Sequence, residues 1–179
     1  MGTFEIRESC LDDVEELFQA VEESREHVAK WMPWLTPGYG EKEAKQWIEF
    51  TIKSREEGTA HEFLIVESSS GEIAGACGLN SVNKLDAFCN LGYWVRKRFL
   101  GQGAALQATN LLRDFGFEEL GLNRLEIVVA EPNVASRRVA EKSGAVYEGI
   151  RQARLRVGEK VYNAHMYALI REGVKVEKS

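Results

Sequence analysis

Seven residues, Arg98-Phe99-Leu100-Gly101-Gln102-Gly103-Ala104, separate an alternating apolar run, Leu91 to Arg96, from a helical pattern that begins at Ala104 and reaches Glu119. A strand that enters a glycine-bearing turn and leaves as a helix aims unpaired backbone N–H groups at one point, and that makes an anion site. Single positions exclude two familiar phosphate loops. The dinucleotide fingerprint needs a third glycine where Leu106 stands, and the nucleoside-triphosphate loop needs Lys-Ser/Thr where Ala104-Ala105 follow Gly103. What remains is Arg98-x-x-Gly101-x-Gly103-Ala104 behind a basic cluster of Arg96, Lys97 and Arg98, which suits a ligand with a pyrophosphate and one further phosphate. On the glycines alone, a helix that starts with a glycine turn and carries a basic rim is an equal reading.

Periodicity orders the rest of the chain around this turn. Thr3 to Arg7 alternates as a first strand, and Leu11, Val14, Leu17, Phe18 and Val21 recur at helical spacing behind Asp12 and Asp13. After a loop from Trp31 to Gly40, a second helix from Glu41 to Glu57 carries Ala44, Trp47, Ile48, Thr51 and Ile52 on one stripe and stops at Gly58. Three strands follow as an antiparallel meander: Glu62 to Glu67, Glu72 to Asn80, and Ala87 to Arg96. Beyond the helix from Ala104 come a buried strand from Arg124 to Ala130, a short helix at Asn133, and two long strands, Ala145 to Val157 and Lys160 to Ile170, around a two-residue turn at Gly158-Glu159. The residues after Arg171 read as a frayed end.

At 179 residues the length suits one domain, 1–179, with a proper core. Cys10, Cys77 and Cys89 are odd in number and form no Cys-x-x-Cys pair, so neither a bridged scaffold nor a zinc site is expected. No stretch nears the roughly 20 apolar residues of a membrane span, and Met1 to Cys10 lacks a signal peptide's pattern. A cytoplasmic protein is expected. The net charge of -5 argues against a general nucleic-acid binder.

The block Glu131-Pro132-Asn133-Val134-Ala135-Ser136-Arg137-Arg138-Val139-Ala140-Glu141-Lys142-Ser143-Gly144-Ala145, taken with the glycine turn, resembles the GNAT superfamily of acyl-CoA N-acyltransferases. Their central motif reads Arg/Gln-x-x-Gly-x-Gly/Ala. The Asn-x-x-Ser spacing, Tyr147-Glu148-Gly149 and Trp31-Met32-Pro33-Trp34-Leu35 look like the RimJ/RimL branch, the ribosomal-protein N-terminal acetyltransferases and their relatives. The resemblance implies an α/β (α+β mixed) fold: a mostly antiparallel sheet flanked by helices, its fourth and fifth strands splayed to admit a pantetheine arm. It also implies acetyl-CoA as acyl donor with no metal, an amine acceptor on a protein N-terminus or a small molecule, and possible homodimers.

Residue by residue, the resemblance implies that amides of Phe99, Leu100, Gly101, Gln102, Gly103 and Ala104 hold the pyrophosphate, with Arg96, Arg98 and Arg138 near the phosphates. N–H groups of Tyr93, Trp94 and Val95 would polarise the thioester, because a strand that loses its neighbour has donors to offer. Asn133 and Ser136 would stand beside the sulfur, where Ser136 stabilises the departing thiolate; an ordinary helix cap is the competing role. Trp31, Trp34 and Asn80 would line the acceptor side, although buried anchors or a dimer contact suit the tryptophans as well. The tyrosine that many relatives use falls at Ala140, and the glutamate of some Rim-type enzymes falls near Leu155. Without a strong base, an α-amine of pKa near 8, about a tenth neutral at pH 7, is a better acceptor than lysine near 10.4. Transfer to a metabolite, antibiotic or aminoacyl-nucleotide amine, and a non-catalytic coenzyme-A sensor, are the alternatives.

Overall fold

The computed structural model describes residues 2–175 and 177. Along the chain run β1 (Phe4–Arg7), α1 (Val14–Val28), α2 (Glu41–Glu57), β2 (His61–Glu67), β3 (Ile73–Asn83), β4 (Phe88–Val95), α3 (Ala104–Glu118), β5 (Arg124–Ala130), α4 (Val134–Lys142), β6 (Val146–Val157) and β7 (Lys160–Ile170). The expected frayed end falls partly on residues 176, 178 and 179, which lie outside the described residues. Among the described residues no helix is long and apolar enough to cross a membrane, and no His, Cys, Asp and Glu side chains gather as a metal cluster.

Local chemistry sets the helix ends. The Gly40 N–H donates to Glu43 Oε2 at 2.8 Å to open α2, and Gly58, at φ +63, closes it in the left-handed conformation that glycine adopts most easily. The helix expected from Leu11 instead opens as a 3-10 turn, Leu11–Asp13, and continues as α1. There Asp13 accepts the Cys10 N–H at 2.8 Å and pairs with Arg7, an arrangement that tightens the first turn.

The strands form one seven-stranded sheet in the order β1-β2-β3-β4-β5-β7-β6. Every pairing is antiparallel except β4 with β5. Side-chain alternation sends the two faces to different layers. Phe63, Ile65, Cys77, Leu79, Leu91, Leu125, Ile127 and Val129 pack with Ala104, Ala108 and Leu112 of α3. On the other face Leu64, Val66, Ala76 and Trp94 meet Leu17, Ala20 and Val21 of α1 and Ala44 and Ile48 of α2.

β3 runs three residues past the expected Asn80. Its register against β4 shifts between Asn80 and Asn83, and Ser81 takes φ +53, so a bulge carries the strand on with a bend. A second irregularity lies at Gly75, with φ +150, opposite the shift between Ile65 and Val66 of β2. A Cβ at Gly75 would stand 2.1 Å from the Trp94 carbonyl oxygen, a backbone atom that cannot swing away. Gly75→Ala is therefore expected to cost about 2–3 kcal/mol, read as a lower urea midpoint, through overpacking and a strained φ. An unchanged midpoint would contradict this close approach.

Candidate active site

β4 and β5 are paired only at Phe88↔Arg124, Cys89↔Leu125 and Asn90↔Glu126. Beyond Asn90, β4 stays with β3 as far as Val95, while β5 stays with β7 as far as Ala130. The two strands therefore part and leave a gap. The Arg96 N–H donates to the Ala74 oxygen at 2.8 Å, which fixes the alternation of β4: Trp94 and Gly92 turn their amides to β3, and Tyr93 and Val95 turn theirs to the gap. Of the three amides expected to face a thioester, Trp94 is thus corrected, being committed to Ala76.

At the top of the gap, Gly101 at φ +74 and Gly103 at φ +93 wind the turn into α3. Among the described residues, the amides of Gly101, Gly103, Ala104, Ala105 and Leu106 meet no acceptor, so five N–H groups converge at a helix N-terminus. Phe99, Leu100 and Gln102 are corrected. Their amides donate within the turn to Arg96, Lys97 and Phe99 oxygens at 2.9, 3.3 and 3.4 Å, because a 3-10 turn at Lys97–Phe99 consumes them. The Phe99 ring is buried edge-on against Phe4, 5.8 Å between centroids.

One of the basic residues, Arg96, is corrected as well. Arg96 is only 2% exposed, and its guanidinium grips Glu23 at 2.6 and 2.7 Å and the Ile73 oxygen at 3.2 Å. That grip holds the Glu23 carboxyl below the usual carboxylate range. Arg98 pairs with Glu72 at 2.9 Å and Glu23 at 3.2 Å. Both arginines line a hollow against α1 with Glu16 and Glu72. Arg138 is exposed on α4 and has no ion-pair partner among the described residues.

Asn133 caps α4, its Oδ1 accepting the Ser136 N–H at 3.2 Å, so the cap role weighed for Ser136 falls to Asn133 instead. Ser136 is left with a free hydroxyl duty. Its Oγ lies 3.0 Å from the Tyr93 hydroxyl, which also donates to the Ser136 carbonyl at 3.2 Å. Burial pushes the Tyr93 phenol up to about 12, so it stays protonated and acts as a donor. Ala140 is fully buried, and the phenol comes from β4 instead.

The opposite face of the gap is roofed by the loop between α1 and α2. Trp34 packs on Trp94 of β4, with centroids 6.1 Å apart, and Trp31 packs on Tyr162 of β7 at 6.1 Å. The loop therefore bridges the two strands that flank the gap and β5. Below it, Asn80 accepts the Asn90 amide at 3.1 Å and donates to Glu62 Oε1 at 3.2 Å, a polar row across β4, β3 and β2. Further along this face a hollow of about 430 Å³ is lined by Arg124, Glu126, Glu148, Arg151, Gln152, Arg154 and Met166. Leu155, where a glutamate was looked for, sits opposite Tyr162, whereas Glu148 on the same strand is held by Arg124.

A family model described as an acetyltransferase (GNAT) domain matches residues 4–146. The chain belongs to the GNAT acetyltransferases. Among curated relatives, the uncharacterized N-acetyltransferase p20 of Bacillus licheniformis is 27% identical over 166 residues, covering 93% of this chain and 92% of that protein. The ribosomal-protein-serine acetyltransferase of Escherichia coli is 22% identical over 169 residues, 94% of this chain and 93% of that one. The solved structure of RimL, a ribosomal alpha-N-protein acetyltransferase in complex with coenzyme A, superposes with a TM-score of 0.86 at 24% identity, covering 94% of each chain. The seven-stranded sheet with its parallel β4–β5 pair is the GNAT fold, and the protein is an acetyltransferase of this type.

Within this GNAT chain the sequence reading placed Tyr93 beside the acetyl group but missed the hydrogen bond of its phenol to Ser136. A tyrosine three residues before the basic cluster was a visible signal, but its reach to Ser136 depends on the gap. The correction at Arg96 is testable. Arg96→Met is expected to lower stability by about 1–2 kcal/mol, since Glu23 can rehydrate but the Ile73 oxygen loses a donor. Coenzyme A affinity should stay within about threefold, where a lost phosphate ligand would cost tenfold or more. Because Glu23 titrates lower in the folded state, the pair's contribution is full above the ordinary glutamate range and vanishes as pH falls through that lowered value. The melting difference between wild type and variant should accordingly shrink in acid.

Proposed function

We propose that this protein transfers the acetyl group of acetyl-CoA to a primary α-amine, on a protein N-terminus or a small molecule, by direct attack on the thioester. The observation that carries the reading is the gap between β4 and β5, capped by five unengaged amides at the start of α3 and flanked by the Tyr93–Ser136 hydroxyl pair. The amides of Gly101, Gly103 and Ala104 suit a pyrophosphate, with α3 adding its dipole and Arg138 free for a further phosphate. Tyr93 and Val95 N–H groups face the gap, where they would draw electron density from the thioester carbonyl. Acetyl-CoA supplies the activated acyl group; the chain's own residues bind it, polarise it and manage the protons.

Ser136 is the donor assigned to the departing sulfur. A thiol of pKa about 8.5 is a stronger acid than a serine, so a hydrogen bond is the main help it gives. The Tyr93 phenol behind it offers its proton to the Ser136 oxygens and orients the hydroxyl outward. The aromatic roof of Trp31 and Trp34 would press the acceptor toward the gap. The relatives that bear ribosomal-protein acetyltransferase names support a protein N-terminus as acceptor.

Two measurements test the reading. Thiol release from acetyl-CoA with a panel of N-terminal peptides and small amines is expected with α-amines and weak with lysine side chains at pH 7; tight binding without release from any amine would point to a coenzyme-A sensor. Ser136→Ala should lower turnover by about 10²-fold and leave acetyl-CoA affinity nearly unchanged, whereas a parallel loss of both would reduce Ser136 to a structural residue. Gly103→Val, by contrast, should weaken coenzyme A binding directly, because a branched residue resists φ +93 and disorders the amide cluster.

A further inference from the structure

We propose that the carboxylate of Glu62, lying over Gly78 of β3 and facing the open space above Gly92 of β4, is the base that takes the proton from the acceptor amine. The assignment rests on the acetyl-transfer reading above. Glu62 stands on β2 in register with Gly78 of β3, which is in register with Gly92 of β4. Its parity with Leu64, which packs against α1 and α2, places it on the face roofed by Trp31 and Trp34. A Cβ at Gly78 would fall 1.9 Å from Glu62 Oε2, so the carboxylate lies where a side chain would otherwise be. A Cβ at Gly92 would find only Asn90 Nδ2, at 3.9 Å, and the space above Gly92 is open.

Neighbouring strands are about 4.8 Å apart, so a carboxylate lying over Gly78 stands roughly one strand, or one bridging water, from a group above Gly92. Gly92 is the residue next to Tyr93, whose amide faces the gap. An amine above Gly92 would therefore have the thioester on one side and Glu62 on the other. Asn80 fixes the carboxylate by donating to Oε1 at 3.2 Å, and Asn90 in turn fixes Asn80. Burial raises the Glu62 pKa, opposed only by the Asn80 bond. Cys77, whose thiol Glu62 helps push up, is buried on the opposite face, and Glu126 is held by Arg124.

The step balances without any further reagent. One proton of the ammonium passes to Glu62, directly or through water, and is later released to solvent. The freed lone pair forms the C–N bond at the thioester carbonyl, the C–S bond breaks, and the second nitrogen proton ends on the sulfur beside Ser136.

Glu62→Gln keeps the hydrogen bond to Asn80 and removes the base. It is expected to lower kcat by about 10²-fold with little change in KM or in acetyl-CoA affinity, and to abolish the limb of the pH profile that rises as the carboxyl ionises. Glu62→Asp should restore that limb in part. Turnover and pH profile like the wild type in Glu62→Gln would overturn the proposal. A 13C titration of the glutamate carboxyls in the coenzyme A complex, with the Glu62 signal identified by its loss in Glu62→Gln, reads the same group without turnover. A midpoint above the usual glutamate range that moves when an α-amine is added is expected, and an ordinary, unresponsive midpoint would also overturn it. Should wild-type protein release no thiol from any amine, the functional reading fails, while the titration still decides whether Glu62 senses an amine.

Discussion

Two parallel strands that part after three paired residues set the terms for everything else in this molecule. Each of them keeps a full antiparallel partner, β3 for β4 and β7 for β5, so separation costs only a few parallel ladder bonds. What it exposes is a short row of backbone donors in the middle of a sheet, where such groups are ordinarily paired. A folded chain tolerates that only if another molecule or water meets them. The connection between the parallel strands must also cross over through α3, which starts at the mouth of the gap and brings its own unpaired amides there. One topological fact thus produces both the slot and the anion cradle above it.

The cradle is made of dipoles, and the nearby arginines serve another purpose. Arg96 is buried with Glu23 and Glu16 from α1, and Arg98 ties the same helix to Glu72. A buried guanidinium is costly to desolvate and returns little net stability, but with a bidentate partner it fixes position well. Here it pins the end of β4 to α1. Rigidity at that point matters because the five amides are effective only while they converge, and a turn with two left-handed glycines has little stiffness of its own. The carboxylates that neutralise the arginines stand on the α1 side, so they do not repel a diphosphate at the start of α3.

The elements were legible wherever their signals are local. α2, β5 and β7 coincide with their expected bounds because a helix cap, a buried run and a two-residue glycine turn are written into neighbouring residues. The glycine turn and the short helix at Asn133 were legible for the same reason. Arg96 was misread because a cation beside a phosphate-binding turn looks like a ligand, and its true partner lies 73 residues earlier on α1. The amides of Phe99, Leu100 and Gln102 were misassigned because spacing does not tell which donors a 3-10 turn consumes. Glu62 was invisible for a deeper reason. Its role depends on strand register, which places it over Gly78 and in line with Gly92, and register is a property of the folded sheet.

That register also explains how donor and acceptor of protons coexist in one site. Gly92 and Tyr93 are adjacent in β4, and the pleat sends them to opposite faces. On the α3 and α4 face, Tyr93 is packed among apolar side chains and held protonated behind Ser136. On the α1 and α2 face, Glu62 lies over backbone with no cation to lower its proton affinity. Had both groups shared a face, the carboxylate would accept the phenol's hydrogen bond directly and each would quench the other. Separated by the thickness of the sheet, they can communicate only through the atoms that pass along the gap between β4 and β5. A nitrogen arriving from one face and a sulfur departing on the other would then lose and gain their protons in sequence, an ordering imposed by alternation along a single strand.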